Sequence, residues 1–302
     1  MLPNFLIPGA AKSGTTSLYS YLNRHPDIFM PALKEPMYFV SDYLSGMSDE
    51  YPRKRFFLNS IVTDEDDYKK LFSGVTNEKM IGEASVYYLY YWKIAIPAIK
   101  SALGDVKIII GLRNPVDRAF SSYLDLYRKN FEKISFKEAL QLEEERERAD
   151  WRTLLNQYRK AGLYAAQVAA YKENFSSIFV YLFDDFKRDP IAVARACCEF
   201  LDVDGEAIAD IAATRHNNSL QASNSTVDKI LFKPNLIRSG LNTVAGYVLG
   251  EKRRVAAVHY LRQRLSRKQS MSSETREELK SFFRADIDKL SDIIDRDLSH
   301  WH

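Results

Sequence analysis

Asn4-Phe-Leu-Ile-Pro-Gly-Ala-Ala-Lys-Ser-Gly-Thr-Thr-Ser-Leu-Tyr19 runs from a short apolar strand through a loop of small residues into a helix. That order is what an anion cradle requires. Loop amides and the positive end of the following helix converge on the anion, and glycine lets the backbone approach it. Gly9 and Gly14 are spaced as in a Walker A loop, yet Thr15 stands where the Walker lysine would follow, and the lysine is Lys12. A nucleotide triphosphatase needs that later lysine on the β- and γ-phosphates and a magnesium-binding acid at a strand end. The other apolar strands offer no convincing aspartate for that role, which disfavours ATP hydrolysis. An ordinary strand-to-helix turn, capped by Ser13 or Thr15, would use fewer of these residues.

Three more compact apolar runs, Lys79 to Gly82, Lys107 to Leu112 and Ile178 to Leu182, join Phe5 to Pro8 as strands. None alternates polar with apolar, the pattern of strands buried on both faces of a parallel sheet. Between them lie helical periodicities over Thr16 to Arg24, Pro115 to Asn130, Phe136 to Arg148, Trp151 to Asn174 and Pro190 to Leu201. Strand signals end near Ser219. The last helix is predicted over Ser273 to Trp301, with an apolar stripe including Leu279, Phe283, Ile287 and Leu290. The charged run Glu143 to Arg148 is expected to be a solvated helix face. Without a Gly/Ser/Pro-rich linker, one domain over 1–302 is expected, an α/β core to about residue 218 and a helical extension over 219–302.

With 302 residues, 46% of them hydrophobic, the chain can bury a real core, which excludes a disordered or fibrous protein. The two cysteines, Cys197 and Cys198, are adjacent and form no disulfide framework, so a reducing, cytoplasmic setting is expected. No apolar run approaches the ~20 residues that span a bilayer, and the N-terminus reads as a first strand, not a signal peptide. The formal net charge of +3 hides an uneven layout. Residues 229–268 carry ten Lys/Arg against Glu251 alone, a net +9, leaving −6 for the rest of the chain. That segment admits a peripheral membrane contact or an anionic acceptor, and nucleic acid is not expected.

Pro8-Gly-Ala-Ala-Lys-Ser-Gly-Thr-Thr-Ser-Leu18 resembles the 5′-phosphosulfate loop of sulfotransferases that use 3′-phosphoadenosine 5′-phosphosulfate (PAPS). Leu112-Arg-Asn-Pro-Val-Asp-Arg-Ala-Phe-Ser-Ser-Tyr123 is similar to the 3′-phosphate motif of the same family, in the same order along the chain. The resemblance is closest to bacterial and heparan-sulfate-type enzymes and extends over about residues 4–205, through Lys34-Glu-Pro-Met-Tyr-Phe39, Gly162-Leu-Tyr164 and Phe186-Lys-Arg-Asp-Pro190. It implies a three-layer, P-loop-like parallel sheet flanked by helices. The implied activity is sulfuryl transfer from PAPS, leaving adenosine 3′,5′-bisphosphate, to a hydroxyl or an amine of a carbohydrate, lipid or secondary metabolite, with no metal.

The resemblance also assigns roles. Lys12 neutralises charge on the bridging and phosphate oxygens, while Thr15, Thr16 and Ser17, with the backbone of Ser13 and Gly14, hold the 5′-phosphate at a helix N-terminus. Arg113, at a strand end, and Ser121, two helical turns further, hold the 3′-phosphate, with Arg118 as a helper. Glu35 is the expected general base, with Lys34 beside it for charge or sulfate contact, and His25 is the alternative base. Relatives often carry His where this chain has Met37. Glu83 is expected to line the acceptor side or to orient Lys12 or Lys34. Arg264, Arg267 or Lys268 would complete the 3′-phosphate site. Segments Asp42 to Arg55 and Val86 to Trp92, rich in tyrosine, would build the acceptor pocket. Two other functions fit the loop less fully: a P-loop kinase or nucleotidase, and a non-enzymatic, nucleotide-responsive membrane module. The acceptor's identity and the oligomeric state are not legible.

Overall fold

The computed structural model describes residues 1–51, 54–208 and 270–302. Strand β1 (Phe5–Gly9) leads through the small-residue loop into helix α1 (Thr15–Leu22). After the two-residue strand β2 (Ile28–Phe29) come the short helices α2 (Ser41–Ser45), α3 (Lys54–Leu58) and α4 (Glu65–Lys70). Strand β3 (Met80–Ala84) is followed by α5 (Tyr87–Tyr90) and α6 (Trp92–Leu103), and β4 (Lys107–Leu112) by α7 (Pro115–Arg128). Then come α8 (Phe136–Gln141), α9 (Glu143–Arg148), α10 (Tyr164–Asn174), β5 (Ile178–Leu182), α11 (Phe183–Arg188), α12 (Pro190–Phe200) and α13 (Ser273–Ile294).

The strands form one parallel sheet in the order β2-β3-β1-β4-β5. Every residue of β1 and β3 is buried, as the non-alternating apolar runs predicted. Phe5, Ile7 and Ile109 pack on one face with α1 and α12, and Leu6, Ile108 and Ile110 on the other with α5, α6, α7, α10 and α13. The result is the expected three-layer sandwich with β1 at its centre. Placing β1 between β3 and β4 brings the C-terminal ends of all three strands, and the loops that follow them, to one edge. Cys197 and Cys198 are buried and unbridged, and burial pushes both thiols up, Cys198 to about 12, so neither is a ready nucleophile.

Three sequence expectations are corrected. Phe136 to Arg148 is two helices, and Glu143 is 1% exposed: its carboxylate accepts the backbone N–H groups of Arg159 and Lys160, both at 3.0 Å. The solvated-face reading fails there because that acid caps a neighbouring 3₁₀ turn, Lys160–Gly162. Trp151 to Asn174 is α-helical only from Tyr164, after two 3₁₀ turns at Leu154–Asn156 and Lys160–Gly162. Asp286 of α13 accepts the N–H groups of Tyr164 and Ala165 at 2.7 and 3.2 Å, and a Cβ at Gly162 would lie 2.9 Å from Phe283 and 3.0 Å from Pro115. The predicted last helix ends at Ile294, and a 3₁₀ turn, Ser299–Trp301, follows. Strand β2 is too short to have left a signal. The boundary near residue 218, the basic segment 229–268 and Arg264, Arg267 and Lys268 lie outside the described residues. No described helix is long and apolar enough to cross a membrane.

The final turn ties the C-terminus to the sheet edge. Trp301 is 1% exposed, its indole N–H donates to Asp184 Oδ2 at 2.8 Å, and its carbonyl accepts from Asn114 at 3.2 Å. Trp301→Ala is therefore expected to cost about 3–5 kcal/mol of stability, measured as a lowered urea midpoint at unchanged m-value. A loss below about 1 kcal/mol would show that the turn is not fixed there.

Candidate functional site

The loop after β1 is fixed by hydrogen bonds to its backbone groups. Ala10 N–H donates to Gly111 O at 2.6 Å, Tyr181 hydroxyl to Ser13 O at 3.1 Å, and Arg113 Nη1 to Lys12 O at 3.1 Å. Gly14 is the N-cap of α1 at φ 83°, a left-handed conformation costly for other residues, and no side chain caps the helix. The first amides of α1 are thus free for an anion.

A cavity of about 470 Å³ opens over this helix end. From the loop and α1 it is lined by Lys12, Gly14, Thr15, Thr16 and Ser17; from the segment after β2 by Glu35; and from β4 and α7 by Arg113 and Ser121. Eight of the candidate residues, contributed by three separate stretches of chain, therefore share one space. Asp125 and Lys129 line it too and were missed. They follow Ser121 at i+4 and i+8, so α7 periodicity was the available signal. Asp125 bridges two cations, 3.7 Å from Lys12 Nζ and 2.8 Å from Lys129 Nζ. Burial lowers the Lys12 pKa, Asp125 opposes that, and Lys129, Arg113 and Arg128 add to it. Burial likewise lowers Arg113, whose guanidinium stacks 4.6 Å over Phe183.

Glu35 sits at φ 63° with its N–H donating to Ala84 O at 3.0 Å, and Lys34 Nζ lies 2.5 Å from its carboxylate. The following residues are pinned: Val62 N–H donates to Pro36 O at 2.9 Å and Met37 N–H to Ser85 Oγ at 3.1 Å. A carboxylate fixed at the rim of a cationic cavity can accept a proton from a group bound there.

Other candidates fall elsewhere. Ser13 is fully buried beneath the loop, and its side chain does not line the cavity. Lys34 contacts Glu35 without lining the cavity. Arg118 is buried and donates to the carbonyls of Gln157 and Tyr158, so the helper role is corrected to a scaffold contact. His25 is locked: Nδ1 accepts from Asp27 N–H at 3.1 Å and Nε2 meets Asp204 O at 2.7 Å, away from the cavity. Glu83 orients neither lysine. It is buried under Tyr68 and Tyr88, whose hydroxyls both donate to Oε2 at 3.0 Å. Tyr87 and Tyr88 are core, whereas Tyr90, Tyr91 and Trp92 line a separate cleft.

Burial raises the Glu83 pKa to about 7, against hydrogen bonds from Ser85, Tyr68 and Tyr88 that lower it. A carboxyl whose folded pKa lies above its unfolded value makes the folded state hold more protons in between. Its contribution thus falls as pH rises from about 4.5 toward 7. Glu83→Gln is expected to flatten this loss by on the order of 1–3 kcal/mol, read from urea unfolding below pH ~5 and above pH ~8. An unchanged pH dependence would contradict it.

Residues 3–207 match the family model described as Sulfotransferase family. The chain is 37% identical to a sulfotransferase from Alicyclobacillus acidocaldarius of known structure, covering 100% of this chain and 99% of that one, with a TM-score of 0.75. It is also similar to the membrane-associated sulfotransferase kil1 of Dictyostelium discoideum, 37% identical over 40% of this chain and 22% of that protein. Human heparan sulfate glucosamine 3-O-sulfotransferase 3B1 is 30% identical over 45% of this chain and 31% of that protein. The matched part spans less than a third of the length of these curated relatives.

Proposed function

This chain belongs to the sulfotransferase family, and on that premise we propose that it transfers a sulfuryl group from PAPS to a hydroxyl of a carbohydrate, lipid or secondary metabolite. One observation carries the reading: a single cavity is shared by an uncapped helix N-terminus, Lys12, the pair Arg113 and Ser121, and Glu35. Two anion-binding elements of different origin in one cavity suit a nucleotide with phosphates at both ends of its ribose, where a simple phosphate site would need only one.

In this reading the amides of Gly14 to Thr16 and the hydroxyls of Thr15, Thr16 and Ser17 hold the 5′-phosphate, and Arg113 and Ser121 hold the 3′-phosphate. The acceptor oxygen attacks sulfur in line, the bond from sulfur to the bridging phosphate oxygen breaks, and the proton of the acceptor hydroxyl passes to Glu35. Lys12 stabilises the negative charge gathering on the leaving phosphate oxygen. Positioning and fixed positive charge supply the catalysis, with no covalent enzyme intermediate. Asp125, 3.7 Å from Lys12 Nζ, opposes the lowering of the Lys12 pKa by burial and so favours its charged form.

The test is transfer itself. Incubated with sulfur-labelled PAPS and an extract of small molecules and glycans, the protein is expected to yield a labelled product identifiable by mass spectrometry. Label transfer from γ-labelled ATP, with none from PAPS, would instead support a kinase and overturn the proposal.

A further inference from the structure

Two carboxylates stand close enough to Arg113 to act on its charge. Burial lowers the Arg113 pKa, and Asp117, Tyr164 and Asp184 oppose that lowering. Asp117 lies one turn along α7 from Arg113, and Asp184 follows Phe183, whose ring lies 4.6 Å from the guanidinium. An arginine forked by a carboxylate has few donors left for a phosphate. Yet among the described residues Arg113 forms no ion pair, and its Nη1 donates to Lys12 O at 3.1 Å. Its charge faces the donor cavity uncommitted.

Both acids are engaged instead by α13 and the turn that follows it. Arg276, in the first turn of α13, donates from Nη1 to Asp117 Oδ1 at 3.0 Å. Beyond the other end of that helix, the indole N–H of Trp301 donates to Asp184 Oδ2 at 2.8 Å, and His300 Nε2 lies 3.4 Å from the same oxygen. Trp301 is buried, and a buried indole N–H needs an acceptor, so packing of the ring fixes where Asp184 is held. The backbone beside Arg113 is fixed from the same turn. Trp301 O accepts from Asn114 Nδ2 at 3.2 Å, while Asn114 Oδ1 accepts the N–H groups of Val116 and Asp117 at 3.0 and 3.3 Å.

We infer that α13 and its turn keep Arg113 available to an anion: Arg276 and Trp301 are positioning residues that hold Asp117 and Asp184 away from the guanidinium. Neither lines the donor cavity, and both act through the acids they engage. The inference rests on the reading that Arg113 takes the 3′-phosphate. Calorimetric titration of the full chain with adenosine 3′,5′-bisphosphate and with AMP, below each variant's melting transition, tests it. Trp301→Phe keeps a ring and loses the N–H, and Arg276→Met keeps an apolar stem and loses the charge. Each is expected to weaken binding of the bisphosphate by ~3–5-fold, the worth of a partly exposed ion pair between Arg113 and the released acid, with AMP changed by less than ~2-fold. Removing the released charge should repair the loss. Trp301→Phe with Asp184→Asn, and Arg276→Met with Asp117→Asn, are each expected to bind the bisphosphate within ~2-fold of the wild type. Damage to the fold would weaken both nucleotides and would not be repaired by the second substitution. The Arg276 side chain is 40% exposed, so its variant keeps the test open if Trp301→Phe fails to fold. A wild type that binds the bisphosphate no more tightly than AMP would overturn the reading of Arg113 and the inference with it. A wild-type preference that is lost in Arg113→Ala, but kept in Trp301→Phe and Arg276→Met or not restored by the paired substitutions, would overturn the inference alone.

Discussion

With Lys12 replaced by alanine, sulfuryl transfer is expected to fall by about 10²–10³-fold in kcat, the range for removing one preorganised charge-stabilising group. Lys12 is held at φ 71° by a loop whose carbonyl is gripped by Arg113, so its ammonium needs little reorganisation as charge develops. Its burial lowers the dielectric around it and makes its charge count for more than it would in water. The fold should survive, because the side chain is partly exposed and Asp125 keeps Lys129 at 2.8 Å. A variant with an unchanged melting temperature and less than ~10-fold loss of kcat would contradict the assignment.

Glu35→Gln should lower kcat by about 10²–10⁴-fold with little change in the KM for the sulfuryl donor. The substitution keeps the shape and an oxygen for Lys34, and removes only the capacity to take a proton. The backbone around it is fixed by Ala84, Val62 and Ser85, so a structural effect of this change should be small. A large rise in donor KM with kcat preserved would mean that Glu35 shapes the donor site and takes no proton.

The parts of the site that lay within a few residues of each other were legible. Gly9 to Ser17 is a local strand-loop-helix unit whose chemistry is written in its own residues, and Arg113 stands at the end of a strand identified from its apolar run. Their meeting depends on β1 pairing with β4, which the parallel βα alternation implied without fixing the strand order. What escaped was decided by partners far along the chain. The start of α10 is capped by Asp286 across 122 residues, and Glu143 is drawn inward by amides of Arg159 and Lys160. Tyr88 and Tyr90 lie in one aromatic run, yet one is core and the other lines a cleft, a difference that tertiary packing alone sets. Asp125 and Lys129 were within reach of α7 periodicity, one and two turns beyond Ser121, but the loop that closes the cavity over them comes from a distant part of the chain.

A cavity that holds a nucleotide carrying phosphate on both sides of its ribose should distinguish adenosine 3′,5′-bisphosphate from nucleotides with phosphate on one side alone. Thermal unfolding with adenosine 3′,5′-bisphosphate, AMP or ATP with Mg²⁺ reads that difference. At ~100 times its Kd the bisphosphate should stabilise the protein by about 2.7 kcal/mol, AMP at the same concentration by much less, and Arg113→Ala should remove the difference. Equal stabilisation by AMP and the bisphosphate, or stabilisation by ATP with Mg²⁺ alone, would contradict the account.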